Sequence, residues 1–168
     1  EARISDNPVG ILAHKSRSDT LLFSKMLRMD KSYNPDYKDK KDLFLKMNGR
    51  KLYQYAIETI PITIKECLEK YGLHLNEIQK ILIHQANGKM DDAILKRLYG
   101  LYDIKELPED IMPMSISWLG NSSVATIPTL MDLILKGRLE PHKLLAGDNI
   151  ILASVGAGTN INAVIYKM

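Results

Sequence analysis

The sequence predicts an α/β domain in which helices pack on a mixed, mostly parallel sheet of five strands, in the order βαβαβαββ. Three observations predict it. Short apolar runs at residues 10–14, 43–47, 81–83, 111–117, 149–154 and 161–166 have the length and β-branched content of strands. Between several of them lie longer segments whose apolar residues recur at helical spacing, and strands separated by helices join as crossovers in a parallel sheet. The chain has 168 residues, 45% hydrophobic and 26% charged, which is enough for one core and too little for two.

Taken in order, Gly10 to His14 suits a short strand, and residues 16–41 are polar and rich in lysine and tyrosine with a turn signal at Asn34-Pro35-Asp36. They read as a long connection. After the strand at 43–47, Asn48-Gly49 leads into a helix whose apolar positions are Tyr53, Ile57, Ile60, Ile64, Cys67 and Tyr71. The register survives Pro61, so one kinked helix is expected, ended by Gly72. Residues 81–83 are a buried strand, and Asn87 caps a helix over 89–99 with Met90, Ala93, Ile94 and Leu98 inward and Gly100 as its stop. A loop through Pro108 precedes the strand at 111–117. Ser122 or Ser123 then caps a helix carrying Val124, Ile127, Met131 and Ile134 inward, closed by Gly137. The last two strands are joined through Gly156-Ala157-Gly158, a tight junction of small residues.

Composition narrows the function classes. Net charge is only +3 and the cations are interspersed with acids, which gives nucleic-acid binding no support. Cys67 is the one cysteine, so no internal disulfide forms and a cytoplasmic setting is favoured. No apolar stretch approaches the roughly 18 residues of a spanning helix, and no membrane role is expected. The start at Glu1 runs straight into Pro8-Val9-Gly10 and reads as a cut into an existing fold.

The chemistry sits at the strand ends. Ile81-Leu82-Ile83 delivers His84, Gly120 precedes Asn121, and Gly156 ends the penultimate strand. In sheets of this kind reactive groups gather at the carboxyl edge, so the three converge on one pocket. An imidazole and a carboxamide together can hold an oxygen that becomes negatively charged, which points to chemistry on a carbonyl. Each residue alone has an ordinary structural explanation as a cap or a turn, and their joint placement carries the reading. A serine-hydrolase triad is disfavoured because no serine stands on a strand-to-helix elbow and no acid is placed to orient His84. A metal site is disfavoured too, since His14, His74 and His142 are scattered without ligand spacing. Cys67 lies mid-helix on the apolar face, the setting of an inert core thiol.

With His84-Gln85-Ala86-Asn87, Gly120-Asn121-Ser122-Ser123 and the glycine-rich final hairpin, the chain resembles the C-terminal half of the 3-oxoacyl-acyl-carrier-protein synthase III family, which has the thiolase-like fold. The resemblance is good from Phe44 to Met168 and poor in the 16–41 and 100–111 loops. It implies a subunit of two similar halves, with residues 1–18 as the last strand of the first half, 19–42 as a connection and 43–168 as the second. It also implies a decarboxylating condensing enzyme whose nucleophilic cysteine lies in the absent first half, so that this piece alone is inactive. His84 and Asn121 correspond to donors to the malonyl thioester oxygen. Gly49, Tyr53, Ala86, Asn87, Met90, Val155 and Gly156 correspond to the pantetheine channel and acyl pocket, and Lys89, Lys96 and Arg97 to the dock for acyl carrier protein. The substrates implied are acyl-coenzyme A and malonyl-acyl carrier protein, with no resident cofactor, and the partners are the first half and a second copy in a homodimer.

For the basic trio there is also a physical case, because Lys89 and Lys96 are seven apart on one helix face with Arg97 adjacent; the alternative is a solvated face stapled by Asp92 and Lys96. Val155 and Ala157 depart from the aromatic residue and glycine common in the family. Two rival readings stand beside this one, a related synthase of specialised lipid or polyketide biosynthesis and a carrier-binding module without turnover.

Overall fold

The computed structural model describes residues 6 and 8–168; residues 1–5 and 7 of the expected opening segment lie outside them. In chain order the elements are β1 (Gly10–Ser18), α1 (Thr20–Phe23), β2 (Leu27–Asp30), β3 (Phe44–Met47), α2 (Gly49–Tyr71), β4 (Lys80–Ile83), α3 (Gly88–Gly100), α4 (Ile116–Leu119), α5 (Thr126–Leu135), β5 (Asn149–Gly156) and β6 (Asn160–Lys167). One sheet has the order β1-β6-β5-β4. Only β4 and β5 are paired in parallel, while β6 runs against both β5 and β1. Three of its four strands therefore point the same way, and the mixed α/β class holds.

Period-two alternation splits the core into two layers. Ile81, Ile83, Ile151, Ala153, Ile161, Ala163 and Ile165 face the side covered by α2 and α3, where they meet Ile60, Ile64, Leu68, Ile94 and Leu98. Leu82 and Ile150 face the other side and pack with Leu130 and Ile134 of α5. This explains why Ile81-Leu82-Ile83 is an unbroken apolar run: β4 is covered on both faces. The long helix α2 passes through Pro61 uninterrupted, as its register predicts. Asn48 caps it by accepting from the Lys51 amide, and Gly72 ends it at φ +83, with the amides of Gly72 and Leu73 closing on the Leu68 carbonyl. Cys67 is buried on its inner face, donating to the Ala163 carbonyl at 3.5 Å, with its thiol pushed up by burial.

Several elements differ from the sequence reading. β1 runs on past the expected strand to Ser18, and the connection that follows carries α1 and β2. β3 pairs with β2 in a separate two-stranded ribbon and stands outside the main sheet. The expected strand at 111–117 does not form a ladder and ends in the helical turn α4, so the sheet has four strands in place of five. Residues 111–113 still lie buried beside β4, where the Ile81 amide donates to the Ile111 carbonyl at 2.8 Å. Pro113 has no N–H to continue such a ladder. Gly100 is the last residue of α3, which ends there as expected with Leu101 as its cap. Val124, expected inward, is 93% exposed, because α5 begins only at Thr126. Tyr53 and Tyr71 stand at the exposed margin of α2, whose buried face is completed by Tyr55, Ala56, Thr59, Thr63 and Leu68.

Asp91 is a local conflict within this core. It lies in the first turn of α3, is fully buried, and among the described residues neither carboxylate oxygen has a hydrogen-bond partner. Burial, with a smaller contribution from the neighbouring Asp92 charge, pushes its pKa up to about 7. An unfolded aspartate ionises near pH ~3.9, so the folded state binds the proton more tightly. The resulting penalty is absent below about pH 4, grows as pH rises to about 7, and above that reaches about 4 kcal/mol as an upper bound. Replacing Asp91→Leu is expected to stabilise the chain at pH 8 by about 2–3 kcal/mol more than at pH 5, measured by urea melts. Equal gains at the two pH values would show that Asp91 is not a buried, titrating acid.

Candidate functional site

β4 ends beside Ala153 of β5, and the His84 amide donates to the Ala153 carbonyl at 2.9 Å immediately after the Ile83–Ala153 pairing. His84 therefore leaves the sheet at its carboxyl edge, half-buried. Its Nδ1 lies 3.1 Å from the Ser123 carbonyl oxygen. A carbonyl can only accept, so Nδ1 carries the proton. Nε2 then offers a lone pair, and offers an N–H only when both ring nitrogens carry a proton.

Asn121 reaches the same residue from the other side. Its Oδ1 accepts from the Ser123 amide at 2.8 Å, which leaves its amino group as a donor without a partner among the described residues. Imidazole and carboxamide are thus anchored on the two peptide groups of a single residue. Local backbone makes this possible. Gly120 adopts φ +68 and ψ −162, a region open essentially to glycine alone, and Ser123 sits at φ +53. The Ser123 carbonyl also accepts from Thr126 Oγ1 at 2.9 Å, tying the turn to the start of α5.

Gln85 is the structural residue that sequence reasoning missed. It is fully buried, its amino group donates to the Pro113 carbonyl at 2.8 Å, and its Oε1 accepts from the amides of Ser115 and Ile116 at 2.9 and 3.0 Å. One side chain thus supplies what a strand ladder does not, holding the 111–116 segment that leads to Asn121. The signal in the sequence was a polar residue directly after an apolar strand and beside His84, overshadowed by the more reactive neighbour.

The remaining predicted residues divide by position. Gly49 opens α2, Tyr53 is 36% exposed one turn later, and Ala86 and Asn87 are exposed in the turn after β4. Asn87 caps α3, its Oδ1 accepting from the Lys89 amide at 3.0 Å. Val155 is half-buried against the main core and Gly156 is exposed at the end of β5. Met90 differs: it is buried in the main core and presents no open surface. Lys89, Lys96 and Arg97 are exposed on α3, and among the described residues no carboxylate lies within ion-pair distance of them, so the Asp92–Lys96 staple does not form. Around Asn121 the apolar side chains Trp118, Leu119 and Val124 are exposed at 56, 41 and 93%. Two open clefts of about 270 Å³ lie elsewhere, beside residues 140–145 and outside β1, while Asn121 is exposed and His84 half-buried.

A family signature described as 3-oxoacyl-[acyl-carrier-protein] synthase III, C terminal, matches residues 68–168. The beta-ketoacyl-[acyl-carrier-protein] synthase III of Porphyra umbilicalis is 32% identical over 123 residues, which is 73% of this chain and 34% of that protein. The solved synthase III of Thermus thermophilus superposes with a TM-score of 0.77 at 27% identity, covering 99% of this chain and 48% of that one. The priming beta-ketosynthase of the R1128 polyketide pathway shares the fold, with a TM-score of 0.76 at 22% identity over 98% of this chain and 46% of its own. The chain spans about a third of the curated relatives and about half of the solved structures.

Replacing Gln85→Leu leaves one carbonyl and two amides without their partner and is expected to cost about 3 kcal/mol. Urea melts should show the lowered midpoint, and hydrogen exchange should show faster exchange at Ser115 and Ile116. An unchanged midpoint would contradict the role assigned to Gln85.

Proposed function

The chain belongs to the 3-oxoacyl-[acyl-carrier-protein] synthase III family and has its thiolase-like fold, and on that footing we propose that it forms the carrier-accepting half of a decarboxylating condensing enzyme. The observation that carries the proposal is the anchoring of His84 and Asn121 on Ser123, which, among the described residues, leaves the Asn121 amino group and one His84 ring nitrogen without a partner.

In the proposed reaction malonyl arrives on acyl carrier protein. The bond to its carboxylate breaks, carbon dioxide leaves, and the electron pair passes into an enolate whose oxygen takes the negative charge. Asn121 donates to that oxygen through its free amino group. His84 donates through Nε2 when both ring nitrogens carry a proton. Ser123 keeps both groups in place, so little reorganisation is needed when the charge develops. The enolate carbon then attacks an acyl group held as a thioester on a cysteine. The new carbon–carbon bond forms, the carbon–sulfur bond breaks, the thiolate leaves, and a 3-oxoacyl group remains on the carrier.

Cys67 is unsuited to that nucleophilic role, being buried with its thiol pushed up. The acyl cysteine is assigned to a first half of the family's kind, which would also cover Trp118, Leu119 and Val124 and turn the open face into a channel. Exposed small or capping residues at 49, 86, 87 and 156, with Tyr53 and Val155, are the natural lining for a pantetheine arm, whereas Met90 acts from the core. The unpaired Lys89, Lys96 and Arg97 provide the charge that an acidic carrier helix requires. Val155 and Ala157, which depart from the aromatic residue and glycine that the resemblance implies there, favour a different acyl pocket and keep a specialised lipid or polyketide pathway as the second reading.

With the first half present, on the same chain or added as a separate one, His84→Ala and Asn121→Ala are each expected to lower malonyl decarboxylation by about a hundredfold or more while the fold is retained. Near-normal decarboxylation in either folded variant would remove that residue from the mechanism. Lys89→Glu is expected to raise the KM for malonyl-carrier several-fold and to leave acyl loading from coenzyme A unchanged. Equal losses in the two half-reactions would argue against a carrier dock on α3.

A further inference from the structure

The β5–β6 turn is held from outside the sheet. Thr159 sits at φ +55, an uncommon conformation for a β-branched residue, and is 2% exposed. Its amide donates to the Gly156 carbonyl at 3.1 Å, closing the turn. Its own carbonyl accepts from the Asp19 amide at 3.2 Å and lies 3.1 Å from the Tyr55 hydroxyl. The same hydroxyl is 2.8 Å from Asp19 Oδ2, and Arg17 Nε donates to that oxygen, also at 2.8 Å. Tyr55 has one proton for two acceptors, and the charged carboxylate takes the larger share. Thr20 Oγ1 adds a bond of 2.6 Å to the Gly158 carbonyl. Tyr55 itself is buried on α2 and packs on Phe23, ring centroids 5.4 Å apart.

The turn so held belongs to the site's edge. β5 passes Ala153, whose carbonyl binds the His84 amide, and reaches Gly156 three residues later, about 10 Å further along. We infer that Tyr55, acting through Asp19 and the strained Thr159, is a positioning residue that fixes the Val155–Thr159 end of the hairpin as one wall of the pantetheine channel. The inference rests on the proposed carrier-accepting function for its consequence, and on the hydrogen bonds above for its structure. Tyr55→Phe keeps the ring and removes only the tie.

The test compares the parent and Tyr55→Phe with the family's first half present, reading hydrogen exchange at the Thr159 amide and the steady-state use of malonyl-carrier. Exchange about tenfold faster and KM raised about fivefold with kcat within about twofold support the inference. Loss of the Tyr55 effect in a Thr159→Gly background, where the left-handed conformation needs no holding, supports it further; additive losses would make Tyr55 merely a stabilising residue and overturn it. Unchanged exchange overturns the tie. Faster exchange with unchanged KM overturns the positioning role. Should the parent form no 3-oxoacyl product, the enzymatic reading and the channel wall fall together, while the exchange result still decides the tie. If Tyr55→Phe is not recovered folded, Asp19→Asn takes its place in the same comparison.

Discussion

Ser123 is the point on which the site depends. Its amide is held by Asn121 and its carbonyl by His84, so two side chains from separate loops are oriented by the two peptide groups of one residue. Each hydrogen bond determines what the other end of its side chain can do. Asn121 must present its amino group, and His84 must present Nε2. Under the proposed function the carboxamide is the permanent donor and Nε2 is the ring atom left to the ligand.

Precision at Ser123 is supported from two sides. β4 is covered on both faces, and the last residue of its run pairs with Ala153, which places His84 at the edge of a rigid layer. The approach to Asn121 is fixed differently, by the buried carboxamide of Gln85 gripping the 113–116 backbone. A buried amide with every group satisfied is a strong local constraint, and an irregular segment beside a sheet needs one because no ladder holds it. The hairpin on the far side of His84 is held by the Tyr55–Asp19 pair. All three supports connect a reactive edge to the core or to its neighbouring helices.

Elements whose residues decide their own conformation were legible in the sequence. Asn48 and Gly72 bound α2, Asn87 starts α3, and the alternation in β5 and β6 assigns their faces. Where the reading differed, long-range partners decided. Nothing local distinguishes 111–117 from a strand until Gln85 takes over its backbone groups, and β2 pairs with β3 across an intervening segment, with Asp30 opposite Phe44 at its inner end. Val124 follows the helical register but precedes the helix. At the site, residue identities and motif spacing were readable, whereas the proton position on His84 was not, since it depends on which atom of Ser123 faces the ring. Asp91 belongs to neither category: its type announces a surface residue, and the structure buries it unpartnered.

The central claim is that His84 and Asn121 meet at one oxygen. A crystal structure with a non-decarboxylating malonyl-thioester analogue, determined with the first half in place, tests it most directly. The account predicts the analogue's thioester oxygen at about 3 Å from both Asn121 Nδ2 and His84 Nε2, with the Ser123 contacts preserved. An oxygen that approaches neither nitrogen, or an imidazole released from the Ser123 carbonyl and turned away from the ligand, would contradict it.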